Sequence, residues 1–143
     1  MHPCLAQIST LNASFAQDIE DYAAGACHSI EVWFTKLENH VREHSLEHVK
    51  ELLAEHDVRL SVAAGQGGLL TSQGAARAEA WRLFDSRLPL CQVLGIETVV
   101  IAGDVGAPFA QVDLDRLLVS LADAARRGAD HGCLLYTSPS PRD

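Results

Sequence analysis

The sequence of 143 residues predicts an α/β fold in which four βα units build a parallel sheet. Two observations carry that prediction. Short apolar runs alternate with longer segments of helical period, the sequence sign of parallel strands joined by helical crossovers. Helix-opening serines and glycine-rich turns fall at the junctions of that alternation. A hydrophobic content of 48% with 21% charged residues suits one globular domain of ordinary size.

Along the chain, CLAQIST is read as the first strand, and Ser14 with Gln17 forms an S-x-x-Q capping box that opens the helix FAQDIEDYAAGA, whose Phe15, Ile19, Tyr22, Ala23 and Ala26 share one side. HSIEVWF is the second strand. SLEHVKELLAEHD is a helix with Ser45 as N-cap and Leu46, Val49, Leu52 and Leu53 as its apolar stripe. VRLSVAAG is the third strand, and the loop GQGGLLTSQG leads into the helix AARAEAWRLFDSRLPLCQVLG, which Pro89 should kink or locally break. ETVVIAGD is the fourth strand. VDLDRLLVSLADAARRGADHG is the last helix, with Leu114, Leu117, Leu118, Leu121 and Ala125 expected toward the sheet.

After Gly132 the pattern stops. The final segment CLLYTSPSPRD matches, residue for residue, the translation of a transposase-based sequencing adapter. Residues 133–143 are therefore read as a non-native tail with few contacts and no regular structure, to be set aside from fold reasoning. On that reading the natural protein runs on past Gly132.

Several function classes are disfavoured by composition. A net charge of −8, from 19 acidic and 11 basic residues, argues against a nucleic-acid partner or an anionic membrane surface. No segment approaches the roughly 18 apolar residues of a membrane span, and the start lacks a signal-peptide pattern, so a cytoplasmic location is the expectation. Cys4, Cys27, Cys91 and Cys133 form no CxxC pair and signal neither zinc nor a redox dithiol. His40, His44 and His48 recur every fourth residue, but Ser45 begins a new helix among them and Glu43 and Glu47 mark the stretch as solvated, so no metal site is assigned there.

Four units of about 30 to 35 residues are half of an eight-stranded (β/α) barrel, which typically runs to about 250 residues. A doubly wound, flavodoxin-like sheet is the alternative. The stretch from ISTLNASFAQDIEDYAAGACHSIEVWFTKLENHV through AAGQGGLLTSQGAARAEAWRLFDSRLPLCQVLGIETVVIAGD resembles the N-terminal half of the xylose-isomerase-like TIM barrels of the sugar phosphate isomerase/epimerase type. The resemblance covers nearly all of residues 1–132. Its most specific pieces are DIEDYAAGACHSIEVW and QGGLL, and it implies the first four βα units of a (β/α)8 TIM barrel, truncated.

Within that frame strand parity selects candidate binding residues. Glu31 and Trp33 share a face of the second strand; a carboxylate can accept sugar hydroxyls and an indole can stack on a sugar's apolar face, although Glu31 could equally pair with a Lys or Arg at the sheet rim. Lys36 could hold a phosphate or carboxylate, or simply be solvated. Gln66, Gly67 and Gly68, directly after the third strand, suit close backbone approach to a ligand, or only a tight turn. Asp104 has the parity of Thr98 and Val100 and would emerge at the mouth, or serve as a turn residue.

The resemblance implies a sugar or sugar phosphate substrate. It also implies a divalent metal, Mn or Mg, in the full-length parent, bound by later strands, where carboxylates move a proton through an enediolate. No cofactor is expected in this fragment, which should be inactive by itself, and its open sheet edges favour pairing with a second copy as a homo-oligomer. The catalytic residues are not among those read here. The alternatives are a non-catalytic sugar-binding barrel and, less favoured, a phosphodiesterase related to endonuclease IV.

Overall fold

The computed structural model of the chain describes residues 3–103, 108 and 110–137. In order along the chain these form β1 (Leu5–Ala6), a 3-10 turn (Gln7–Thr10), α1 (Phe15–Ala24), β2 (Ser29–Trp33), α2 (Phe34–Glu43), α3 (Leu46–Glu55), β3 (Arg59–Gln66), α4 (Gly74–Leu94), β4 (Thr98–Ile101), α5 (Gln111–Asp130) and β5 (Leu134–Thr137). The strands pair in parallel in the order β1-β2-β3-β4-β5. Consecutive order excludes the doubly wound arrangement, in which a crossover interrupts the sequence of neighbours.

One face of the sheet lies under the helices. Ile30, Val32, Leu60, Ala63, Val99 and Ile101 are at most 2% exposed there, against Phe15, Ile19, Leu37, Val49, Phe84 and Leu88 from the helices. The alternate residues Glu31, Trp33, Val62, Thr98 and Val100 are only half-buried, and Leu134 and Tyr136 are exposed. A one-sided helix layer with a second face lined by mixed side chains is the geometry of a barrel wall.

Local sequence chemistry explains the helix boundaries. Ser14 Oγ accepts from the Gln17 N–H at 3.1 Å, and Ser45 Oγ accepts from the His48 N–H at 3.0 Å, so both serines cap as their positions predict. The capping box at Ser14 is half-made, because the Gln17 side chain donates to Asp21 at 2.9 Å instead of turning back. Helices α1 and α3 end alike. Cys27 N–H donates to Tyr22 O at 2.8 Å and Val58 N–H to Leu53 O at 2.9 Å, over Ala26 and Asp57 at φ 59° and 51°. These are Schellman-type stops that turn each helix into the next strand.

Five expectations need correction. The first strand is only two residues long, since Gln7–Thr10 coil into a 3-10 turn. A helix not anticipated, α2, begins directly at the end of β2. The helix α4 continues through Pro89, so the local break does not occur; a proline forgoes one hydrogen bond, and here the packing of Phe84, Leu88 and Cys91 on either side holds the helix together. The helix α5 turns Ser120, Ala124 and Gly128 to the sheet, with Leu117 and Leu121 partly covered, while Leu114, Leu118 and Ala125 are exposed. Small residues win because the approach is close: a Cβ on Gly128 would lie 3.0 Å from Cys133 O.

The fifth correction concerns the tail. Leu134–Thr137 pair with β4 as an integral strand, Leu134 N–H donates to Glu97 O at 2.8 Å, and Cys133 is 3% exposed. An apolar, β-favouring run after a left-handed Gly132 meets the open edge of β4. The expectation of a loose segment thus fails for residues 133–137, and this packing counts against reading them as foreign; residues 138–143 lie outside the described residues.

Glycine is required at Gly68, where φ is +74° and a Cβ would come 3.0 Å from the Ala80 Cβ. Gly68→Ala is expected to cost about 1–3 kcal/mol, combining left-handed strain with displacement of α4. The check is the urea midpoint at unchanged slope.

Candidate binding face at the strand ends

Reacting groups in a barrel gather at the C-terminal ends of its strands, on the face away from the helices. Strand β2 places Glu31 and Trp33 there, as the alternation predicts. The Glu31 carboxyl is half-buried, and burial alone pushes its pKa up from the ordinary carboxylate value. No Lys or Arg among the described residues pairs with it, so the rim ion pair is not what this carboxylate makes. Below it on the same face, Ser29 and Ser61 share a hydroxyl hydrogen bond of 2.6 Å. The Trp33 indole lies against Gly65, whose missing side chain leaves room: a Cβ there would be 3.3 Å from the ring.

Gln66 does not join them. Strand β3 shifts register between Ala63 and Gln66, and Gly65 within that irregularity has φ +98°. The bulge reverses parity for the residues beyond it. Gln66 is consequently 1% exposed and faces the helix layer, where its amide donates to Gly67 O at 3.0 Å and Ala80 O at 3.4 Å. Its Oε1 accepts from Arg87 at 3.0 Å. The expected substrate contact is therefore replaced by a structural role. Gly67 and Gly68 complete the turn into α4, and Gly68 is explained by packing against Ala80. Asp104 lies outside the described residues.

Lys36 is neither free nor merely solvated. It sits in the first turn of α2, and its ammonium donates to Asp18 Oδ2 at 2.7 Å and Thr10 O at 2.6 Å, with side-chain exposures of 11% for Lys36 and 1% for Asp18. The pair ties α2 to α1 and to the turn after β1.

Three further features shape the strand ends and the helix layer behind them. Gln7, fully buried at the end of β1, accepts the Trp33 N–H through Oε1 at 3.0 Å and fixes the end of β2, while its Nε2 has no partner. Arg87 of α4 forks onto both oxygens of Glu38 at 2.6 and 2.9 Å, reaches Gly65 O and Gln66, and lies 4.5 Å above the Phe34 ring. The histidines of α2 and α3 pack together instead of facing solvent separately. The long-range i+49 spacing of Glu38 and Arg87 carries no sequence signal. A Glu or Arg inside an otherwise apolar stripe is the only clue.

A cavity of about 470 Å³ lies at the opposite end of the sheet, lined by Pro3, Ala26, His28, Ser29, Asp57 and Arg59. It belongs to the N-terminal ends of the strands, where this architecture places stability and not chemistry. Among the described residues no three His, Cys, Asp or Glu side chains converge to hold an ion, and no helix is long and apolar enough to cross a membrane. The four cysteines are free, Cys91 being pushed up to about 12 by burial, and Cys27, Cys91 and Cys133 are buried.

Comparison with known proteins agrees with this geometry. A sequence search of curated proteins finds no match. The chain superposes on a zinc-bound crystal structure of the IOLI protein with a TM-score of 0.85 at 18% identity, covering 96% of this chain and 51% of that one. It is similar to D-psicose 3-epimerase solved with D-fructose, with a TM-score of 0.71 at 23% identity, covering 94% and 51%. It also resembles the 3-keto-D-glucoside 4-epimerase YcjR from E. coli, with a TM-score of 0.76 at 16% identity, covering 97% and 56%. The chain spans about half the length of these structures. At such identities the likeness shows the fold. The family model described as xylose isomerase-like TIM barrel matches residues 20–141, and with five parallel strands in sequential order under a one-sided helix layer, the chain belongs to that family.

Proposed function

We propose that this chain supplies the substrate-binding wall of a sugar isomerase or epimerase barrel, acting on a sugar or sugar phosphate. The observation that carries the reading is the placement of a half-buried Glu31, with no cation beside it among the described residues, on the same strand face as the Trp33 indole. A carboxyl group with a raised pKa exchanges a proton at a hydroxyl more readily than a solvated one, and an indole excludes water from the apolar face of a sugar. Epimerase structures among the neighbours favour this substrate class.

In this reading residues 1–132 are the N-terminal half of a longer barrel, the protein works in the cytoplasm, and the fragment alone is inactive. The assignment of residues 133–143 to a non-native tail stays a proposal, weighed against by the pairing of Leu134–Thr137 with β4; the uninterrupted coding sequence past Gly132 tests it, and a natural continuation through LLYT would end it. The described residues do not form a metal set, so no step here runs through a metal; the Mn or Mg expected of the parent is assigned to residues outside this chain. Partners are limited to the small-molecule substrate and a second copy of the chain.

The test is turnover by the intact barrel against a panel of ketoses and their phosphates. Glu31→Gln is expected to lower kcat/KM by about ten- to a hundredfold, or about 1.4–2.7 kcal/mol of transition-state stabilisation. Sugar binding without turnover in the wild type would select the non-catalytic binding barrel, and cleavage of an abasic DNA strand would select the phosphodiesterase. Glu31→Gln also has a stability signature. Because the folded pKa is raised, the carboxylate opposes folding at neutral pH and that penalty fades as pH falls through the folded value. The variant should be the more stable protein at pH 7, with the difference closing in acid.

A further inference from the structure

We propose that the corner between α2 and α3 is a proton-sensitive latch, in which His40 and His48, flanked by His44, hold the two helices together while the His40–His48 pair carries at most one charge and release them when it takes up a second. His40 lies in the last turn of α2, His44 ends that helix, and His48 lies in the first turn of α3. Their ring centroids are 4.5 Å apart for His40 and His44, 5.1 Å for His40 and His48, and 5.0 Å for His44 and His48. His40 and His44 are tilted at 40°, and among the described residues no three such side chains converge to hold an ion.

A single contact sets the proton arithmetic. His40 Nε2 and His48 Nδ1 are 3.0 Å apart, a bond in which one nitrogen donates and the other accepts. With both rings neutral, one shared N–H satisfies the pair. One added proton leaves the bond intact, because an imidazolium still donates to a neutral neighbour. A second proton on this pair places N–H groups on both facing nitrogens, 3.0 Å apart, and sets two cations edge to edge. His40 is 6% exposed and cannot turn to water without opening the corner.

The surroundings of His40 offer little relief. From α1 the Phe15 ring packs on it at 4.9 Å. From α3 and the connecting turn come His48 and His44, and on α2 Glu43 is the one carboxylate that favours its charge. Burial, then His44 and His48, hold His40 below its ordinary 6.5 against that single opposing group. A histidine whose pKa is lowered on folding binds fewer protons folded than unfolded, so stability is lost as pH falls from about 6.5 toward the folded value. Because α2 also carries Lys36 and Glu38, a loosened corner disturbs the ion pairs that tie it to α1 and α4.

The experiment is an NMR titration of the full chain carrying labelled histidine, with urea melts at each pH. His40 should titrate below 6.5, and the exposed-site variants His44→Gln and His48→Gln should each move its midpoint up toward 6.5 without unfolding the chain. The urea midpoint should fall between about pH 7 and about pH 5, and fall less in His48→Gln. A His40 midpoint at or above 6.5, one unmoved by both variants, or an unchanged loss of stability in His48→Gln would overturn the proposal.

Discussion

Arg87→Leu is expected to lose about 3–5 kcal/mol of stability, a large share of the roughly 5–15 kcal/mol that holds an ordinary domain folded. The guanidinium is 7% exposed and serves four acceptors: both Glu38 oxygens, Gly65 O and Gln66 Oε1. Leucine fills part of the space over Phe34 but leaves the carboxylate half-desolvated and the Gln66 amide oxygen without a donor inside the core, each an uncompensated burial. Arg87→Lys should fall between, because one ammonium cannot reproduce a planar fork. Denaturant melts measure both, with Arg82→Ala as the reference. Arg82 makes a similar bidentate bond to Glu79 three residues away, but at the surface, and its removal should leave the midpoint where it was.

Lys36→Met is expected to cost a comparable amount, about 3–5 kcal/mol, for a different reason. Asp18 is 1% exposed, and with the ammonium gone its carboxylate has no cation and little water. Asp18→Asn in the same chain should recover much of the loss at about pH 7. If Lys36 instead served only a ligand, the single variant would melt like the wild type at every pH, and the second substitution would have nothing to repair.

These two residues also show where the sequence is legible and where it is not. Parity within an uninterrupted strand is local information: Ser29, Glu31 and Trp33 alternate with Ile30 and Val32 as the pattern requires, and the inner face of β2 can be read from its own letters. The caps at Ser14 and Ser45 are local too. A bulge is not, because the room Gly65 leaves lies beside Trp33 on the neighbouring strand, so placing Gln66 at the strand's end does not show that it turns into the helix layer. The helix α2 escapes a sequence reading because it starts at Trp33 without a turn or capping residue. Lys36 reads as a solvated or ligand-facing cation since its partner stands 18 residues away on another helix. Charge pairs that cross between elements leave no periodic trace, and the candidate site is legible only to the extent that it sits on one strand.

Strictly sequential pairing of β1 through β5 has a kinetic consequence. Every strand finds its partner in the unit made just before it, so no contact within the sheet waits for a distant segment, and loop closure is limited to one helix and its turns. During synthesis the sheet can grow by accretion from the amino terminus, each new strand docking on a template already present. The most recently added strand is always the edge, and the open edge is what receives the next.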